Sequence, residues 1–203
     1  MTEHEKIFAG KLFNARGAEL KAVKHKAHNL CTEYNSLMED DPRRTEILRE
    51  MLGGMGENVT VQGPVQFNYG MHTKVGSNFF ANYNFIVQDD GGVTIGDNFM
   101  AGPNVTLSTP LHPLSGRQRR GMVNEKGETF IPCYAKPITI GNDVWLGSGV
   151  IVCAGVTIGD GAVIGAGSVV THDIPAGMVA YGVPCQAIRA VTEDDEKAME
   201  ALL

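Results

Sequence analysis

One histidine stands at the most irregular point of this sequence. His112 lies in the stretch LSTPLHPLSGRQRR, where prolines on both sides of Leu111-His112 restrict the backbone. Histidine is the side chain that most readily takes up a proton near neutral pH, so His112 on a stiff base is a candidate general base. The alternative is a solvated loop histidine without a chemical role, and the local pattern by itself favours that alternative.

Polar side chains upstream form a second group of candidates. Asn82 and Asn84 lie in FFANYNF, and Asp89 and Asp90 lie in VQDDGG. Their amide and carboxylate groups can bind hydroxyl groups of a ligand. The same residues are common in tight turns, and turn formation is the preferred explanation if they stand alone.

Trp145 is the only tryptophan, and it stands between two apolar residues of an alternating pattern, so its indole is predicted to point outward. An exposed indole suggests a contact with a ligand or with another subunit. Cys153 has no histidine beside it in the pattern, which favours packing over nucleophilic catalysis. The four cysteines contain no CxxC pair, and we expect reduced thiols.

The six histidines do not indicate a metal site. A zinc site built from histidines needs three of them close together in the folded chain. His72, His112 and His172 are far apart in the sequence, and the other three lie in the N-terminal segment. The sequence therefore predicts that no metal is required.

The residues that position these groups follow a repeat, because apolar side chains recur at every sixth position. A helix would need apolar residues three and four positions apart, and the many glycine and β-branched residues oppose one. The pattern therefore predicts a solenoid of hexapeptide repeats. The series is Ile140, Leu146, Val152, Ile158, Ile164 and Val170, with a second set four positions on at Val144, Val150, Val156, Ala162 and Ser168.

The same pattern runs less regularly through the preceding residues and then breaks. Slips of two residues between its blocks predict bulges or small loops at the corners of the coil. From Leu107 to Ile140 there are 33 residues, not a multiple of six, and this stretch is predicted to leave the coil as a long loop. The earlier blocks are Val61 and Phe67, then Val75, Ala81 and Val87, then Ile95, Ala101 and Leu107.

The N-terminal residues carry a helical pattern instead. Apolar residues step by three or four from Leu20 to Leu37, Asp41-Pro42 predicts the start of a further helix, and Gly53-Gly54 its end. These helices are expected to cover an open end of the solenoid, with substrate binding as the alternative. The predicted organisation is a helical segment over 1–57, a β-helix over 58–188 with an excursion loop over 108–137, and a C-terminal tail over 189–203.

Composition limits the function classes. The chain has 203 residues, 43% of them hydrophobic, which suffices for one core with a modest appendage. A net charge of -6 argues against a nucleic-acid surface. No apolar run approaches the ~18 residues of a membrane span, and the first residues lack a signal-peptide pattern. We expect a cytoplasmic protein, with no membrane and no nucleic acid among its partners, that acts on a small molecule.

Several motifs together resemble the maltose and galactoside O-acetyltransferases. The likeness runs from about Ile7 to Val191, and its helical N-terminal part and ordered motifs are more specific than hexapeptides alone. It implies a mainly β fold, a left-handed parallel β-helix with an N-terminal helical segment; the repeat spacing itself does not give the handedness. The motifs are GKLF, GENV, FFANYNF, VTIGDNFMAGPNVTL, the His112-Pro113 pair, KPITIGNDVWLGSGV, VIGAGSVVTHDIP and GVPCQAIR.

The resemblance also implies an activity. It implies acetyl-CoA as the donor cosubstrate, a sugar hydroxyl as the acceptor, and a homotrimer with active sites between subunits. His112 matches the general base of the family, while Asn68, Asn82 and Asp90 match acceptor-side groups. The positions that match the coenzyme groove are Trp145, Ser148, Ala166, Thr171 and Arg189.

Four positions depart from the pattern of that family. Two on the acceptor side remove hydrogen-bonding groups for a sugar. Two on the coenzyme side remove a basic residue, which leaves phosphate recognition to Arg189 and Lys136. The acceptor-side positions are Ala15 and Phe80, and the coenzyme-side positions are His172 and Gln186.

The sequence leaves two alternative functions open. One is a xenobiotic acetyltransferase that acts on an antibiotic hydroxyl with the same base and donor. The other is a catalytically silent solenoid used as a binding module. The N-terminal helices favour the sugar enzyme over the first, and the combination of His112, Asn82 and an outward Trp145 favours an enzyme over the second.

Overall fold

A computed structural model of residues 1–203 shows the chain wound into a left-handed parallel β-helix. The helices are α1 (Glu3–Phe8), α2 (Ala18–Ser36), α3 (Arg43–Met51), α4 (Gly116–Arg120) and α5 (Glu193–Glu200). The strands are β1 (Phe13–Asn14), β2 (Gly54–Met55), β3 (Thr60–Val61), β4 (Val65–Phe67), β5 (Thr73–Val75), β6 (Phe80–Ala81), β7 (Phe85–Gln88), β8 (Val93–Ile95), β9 (Met100–Ala101), β10 (Thr106–Ser108), β11 (Pro110–Leu111), β12 (Met122–Val123), β13 (Thr129–Phe130), β14 (Pro132–Ala135), β15 (Ile138–Ile140), β16 (Trp145–Leu146), β17 (Ile151–Val152), β18 (Thr157–Ile158), β19 (Val163–Ile164), β20 (Val169–Val170), β21 (Met178–Gly182) and β22 (Cys185–Ala190).

Each coil of the solenoid contributes one strand to each of three parallel sheets, so the solenoid has three flat faces. We number the faces in the order in which the chain crosses them, and each corner takes the number of the face that precedes it. Face one contains β2, β5, β8, β15 and β18; face two contains β3, β6, β9, β16, β19 and β21; face three contains β4, β7, β10, β17 and β20. Strand β22 pairs antiparallel with β21 at the end of face two.

The hexapeptide pattern sets this shape because successive side chains of a strand point to opposite sides. Both predicted sets are buried, as Leu146 and Val150 illustrate, and all their members except the polar Ser168 stack in one apolar core of 35 residues. The small residue after each aliphatic one is needed where coils meet. A Cβ atom at Gly159 would lie 2.5 Å from the amide nitrogen of Ala176 on the next coil. The predicted solenoid is confirmed.

All the irregular spacing falls at corner three. Three hexapeptides would give a coil of 18 residues, which is the separation of the paired residues Ile151 and Val169. Val65 instead pairs with Phe85, 20 residues on, and Thr106 pairs with Ile151, 45 residues on. The extra residues of the early coils and the long excursion all follow face three. One edge of the solenoid therefore carries the loops.

The N-terminal helices cover the first coil, as the sequence predicts. Leu30 and Tyr34 of α2 and Ile47 of α3 belong to the same buried cluster as the inward residues of the strands. The sequence predicts Asp41 as the N-cap of α3 with Pro42 as the first helical residue, whereas the structure has Pro42 as the N-cap. Strand β2 already pairs with β5 and so lies inside the segment 1–57 that the helical pattern covered.

The excursion is more ordered than the predicted long loop. It contains β11, α4, the antiparallel β12–β13 hairpin and β14. Strand β14 pairs antiparallel with both β11 and β1, which ties the two ends of the excursion to the N-terminal segment. Phe13 and Cys133 are buried together there in a second apolar cluster. The sequence did not indicate this sheet because its partners are far apart along the chain.

The C-terminal residues close the last coil. Strand β22 spans the predicted boundary between 188 and 189, and α5 follows it. None of the five helices combines the length and the apolar character that crossing a membrane requires. The four cysteines are free thiols.

Candidate active site

His112 follows β11, at the point where the excursion leaves corner three. Its imidazole is exposed, and Nδ1 lies 2.8 Å from the carbonyl oxygen of Pro132 in β14. A carbonyl oxygen only accepts hydrogen bonds, so Nδ1 carries the proton and donates it. In the neutral ring, Nε2 is then left with a free lone pair. The fold therefore presents His112 as a base with a fixed tautomer.

Asn68 and Asp90 lie at the same corner, one coil apart. The side-chain amide of Asn68 donates to Oδ2 of Asp90 over 2.8 Å, and Asp90 is almost fully buried. Burial raises the pKa of Asp90, while the Asn68 hydrogen bond and the charges of Lys24 and His112 partly offset that rise. His112 follows β11 at this same corner. One chain thus assembles three of the predicted residues at corner three.

Asp89 supports this corner from inside. Its Oδ1 accepts from the backbone amide of Tyr69 at 2.7 Å, and its Oδ2 accepts from the Thr73 hydroxyl at 2.9 Å. The side chain is fully buried, and burial raises its pKa to about 6. Because both oxygens are occupied by groups of the preceding coil, Asp89 holds the backbone that carries Asp90.

Two further contacts at corner three were not expected from the sequence. Lys24 of α2 places Nζ 5.2 Å from the ring centroid of Tyr69, and its charge lowers the pKa of Asp90. His4 of α1 reaches His72, with 3.0 Å between their Nε2 atoms. A lysine on a helix face and two histidines 68 residues apart give no signal in a single sequence. No group of three or more His, Cys, Asp or Glu side chains is close enough together to hold a metal ion.

A second group of predicted residues lies at corner two. Asn82, Ser148 and Ala166 all occupy the turns between faces two and three, stacked on different coils. The backbone continues this stack, since the amide of Gly167 donates to the carbonyl of Ser148 at 2.8 Å. Trp145 points outward from face two with 52% of its surface exposed, as predicted.

The remaining two predicted coenzyme residues lie apart from corner two. Thr171 is at corner three near the end of the solenoid, where its hydroxyl is 2.9 Å from Nδ1 of His172. Arg189 lies on β22 and forms a two-fold ion pair with Asp195, with distances of 2.7 and 2.8 Å. The ion pair lowers the pKa of Asp195.

The structure therefore separates the predicted residues into two half-sites. Asn68, Asp90 and His112 are at corner three, whereas Asn82 and Ser148 are at corner two. One six-residue face lies between the corners, roughly 20 Å at about 3.3 Å per residue. One chain by itself does not bring Asn82 or Ser148 to His112.

Two family models and a bacterial enzyme match this chain. Residues 6–56 match the maltose acetyltransferase hexapeptide capping motif, and residues 137–172 match the bacterial transferase hexapeptide. The chain is 45% identical over 193 residues to the galactoside O-acetyltransferase of Escherichia coli K12, covering 95% of this chain and 91% of that protein.

Solved structures agree with this match. A galactoside acetyltransferase in complex with coenzyme A has a TM-score of 0.87 and 44% identity, covering 97% of this chain and 94% of that one. A maltose O-acetyltransferase from Clostridium difficile 630 also has a TM-score of 0.87, with 41% identity over 95% of this chain and 98% of that one.

Proposed function

The chain belongs to the family of maltose and galactoside O-acetyltransferases, and on that premise we propose that it transfers the acetyl group of acetyl-CoA to a sugar hydroxyl. The acceptor is a sugar of the maltose, glucose or galactoside type. The observation that carries this proposal is the hydrogen bond from His112 Nδ1 to Pro132, which leaves Nε2 free at the corner that also holds Asp90. Acetyl-CoA is a cytoplasmic metabolite, so the enzyme is expected to act there.

His112 acts as the general base in this mechanism. Its Nε2 takes the proton of the sugar hydroxyl while the oxygen attacks the thioester carbonyl carbon of acetyl-CoA. The tetrahedral intermediate then collapses, the carbon–sulfur bond breaks, and the thiolate takes the proton back from the imidazolium. The products are the acetylated sugar and coenzyme A as the thiol.

Transfer is direct, in a ternary complex of enzyme, sugar and acetyl-CoA. Cys133 follows Pro132 in β14, and burial raises the pKa of its thiol to about 11. A buried thiol of this kind is a poor nucleophile, because the thiolate is the reactive form. This argues against an acetyl-cysteine intermediate.

Acceptor binding falls to Asn68, Asp90 and Asn82. The two half-sites support a homotrimer, in which corner three of one copy meets corner two of the next and joins Asn82 to His112. The hydroxyl or amide of Ser148 then stabilises the oxyanion of the tetrahedral intermediate. In the same arrangement the coenzyme lies along Trp145, Ala166, Thr171 and Arg189, and no metal takes part.

A thiol-release assay with acetyl-CoA tests the proposal. The acceptor panel contains glucosides, galactosides, maltose and chloramphenicol, and the expected result is release of coenzyme A with the sugars. Turnover with chloramphenicol alone would instead identify a xenobiotic acetyltransferase. No turnover with any acceptor would indicate a silent binding module.

A further inference from the structure

The excursion carries an open hollow that the proposed reaction does not use. It lies between α4 and the β12–β13 hairpin and has a volume of about 510 Å³. Its polar lining comes from Arg117, Gln118 and Arg120 on one side and from Thr129 on the other. Each of these side chains can donate hydrogen bonds.

The charge of this hollow is unbalanced. Two arginines elsewhere in the chain form ion pairs, Arg43 with Glu33 and Arg189 with Asp195. No carboxylate lies within 4.0 Å of the guanidinium groups of Arg117 or Arg120. The chain as a whole has a net charge of -6, whereas these two neighbouring arginines make the hollow locally positive. A pair of guanidinium forks is well suited to bind a tetrahedral oxyanion.

The hollow is built from the same segments that hold His112. On one wall, Nη1 of Arg119 donates to the carbonyl oxygens of Pro113 and Leu114 at 3.2 and 3.3 Å, directly after His112. On the other wall, Thr129 precedes Pro132 by three residues, so their Cα atoms are at most about 11 Å apart. Pro132 also accepts the His112 hydrogen bond. One molecule with two functional groups can therefore reach both the hollow and the imidazole of His112.

We propose that this hollow binds the phosphate group of a phosphorylated acceptor sugar whose free hydroxyl group faces His112. The proposal rests on the proposed sugar O-acetyltransferase function and specifies the class of acceptor. The 3′-phosphate of coenzyme A offers the same chemistry, so the test separates acceptor from donor.

The experiment compares glucose and methyl glucoside with glucose 1-phosphate and glucose 6-phosphate as acceptors, using full-length protein. We expect kcat/KM to be at least tenfold higher for one of the phosphorylated sugars, and the preference to weaken with added salt because exposed charges are screened. The double variant Arg117→Gln/Arg120→Gln should lose that preference and keep its activity on methyl glucoside. Arg49→Gln, an exposed arginine on α3, is the matched control.

Three outcomes overturn the proposal. The first is a wild type with no preference for either phosphorylated sugar, and the second is a double variant that keeps the preference. The third is a double variant whose KM rises for acetyl-CoA but not for acetyl-3′-dephospho-CoA, which would assign the hollow to the donor. An unchanged thermal midpoint shows that the variant is folded. Activity on methyl glucoside reports the proposed function separately, so the two proposals fail in different measurements.

Discussion

Nδ1 of His112 and the carbonyl oxygen of Pro132 are 2.8 Å apart, and this hydrogen bond joins the first and last strands of the excursion. The excursion is thereby closed into a loop whose base holds one imidazole in one tautomer.

Replacing His112 by alanine should lower kcat by about 10²–10⁴-fold, the usual share of a general base. The imidazole is exposed, so the thermal midpoint and the affinity for coenzyme A should change little. Steady-state thiol release, calorimetry and titration with coenzyme A measure the three quantities. Near wild-type turnover, or loss of activity only through unfolding, would show that the histidine is structural.

Mixing two inactive variants tests whether sites form between copies. His112→Ala removes the functional side chain at corner three, and Asn82→Ala removes the one at corner two. Each homo-oligomer should therefore be inactive. After co-refolding in equal amounts, about a quarter of wild-type activity should return in a cyclic trimer, because one site in four then has both intact corners. Activity that stays at the level of the separate variants contradicts a shared site, and light scattering gives the oligomeric state.

Acid pH should loosen the contact between α1 and corner three. Nδ1 of His72 donates to the Asp89 carbonyl, so its Nε2 must accept from His4, and protonating His72 removes that acceptor. Burial lowers the pKa of His72 to about 4, below the ordinary 6.5. The unfolded chain then binds more protons, so this stabilisation is complete above about pH 6.5 and is lost as the pH falls through 4.

The variant His72→Asn isolates this effect. The free energy of unfolding of the wild type minus that of the variant should shrink by up to about 3 kcal/mol between pH 7 and pH 4, since one pKa unit is about 1.4 kcal/mol. Asp89 changes the free energy of unfolding in the opposite direction. Because its pKa is raised to about 6, its contribution to stability is lost as the pH rises. A difference that is independent of pH would rule out titration of His72.

Two glycine substitutions should behave in opposite ways. At Gly159 a Cβ atom would meet the backbone of Ala176 at 2.5 Å, so Gly159→Ala should destabilise by about 1–3 kcal/mol, as overpacking does. Gly116 in α4 has only the flexible end of Arg119 nearby, at 3.9 Å, so Gly116→Ala should be neutral or stabilising. Chemical denaturation of both variants measures the difference, and equal effects would contradict close coil contact at corner one.

The ion pair between Arg189 and Asp195 should compete with coenzyme binding. If Arg189 binds a phosphate of the coenzyme, Asp195→Asn frees its guanidinium and should lower KM for acetyl-CoA, while Arg189→Gln should raise it. Lys197→Gln on the same helix is the control. Unchanged KM values in both variants would remove Arg189 from the coenzyme groove.

Much of the fold follows from local regularities in the sequence. Inward residues at every sixth position predict the solenoid, because a strand alternates its side chains and each coil repeats after three faces. The apolar face of α2 similarly predicts a helix packed on the first coil. The break in the repeat indicates where the chain leaves the coil but does not predict the sheet of the excursion, since β1 and β14 have no sequence pattern of their own and pair across a long stretch of chain.

The candidate site likewise combines residues that the sequence indicates with contacts that it does not. The residue types at His112 and Asp90 indicate their chemistry, whereas Asn68 and the roles of all three are implied only by the resemblance to a known family. Their distribution over corners, and the support from Lys24, Asp89 and the His4–His72 pair, could not be predicted from the sequence.

The coil and the helices that cover it can be predicted from the sequence, because they depend on periodicity and on turn residues that act locally. The tautomer of His112, the pairing of Asn68 with Asp90 and the separation of Asn82 from both emerge only in the folded chain. These depend on which coil, which corner and which distant strand a side chain meets. The stacking of coils fixes such neighbours in space, and residue spacing along the chain does not encode them.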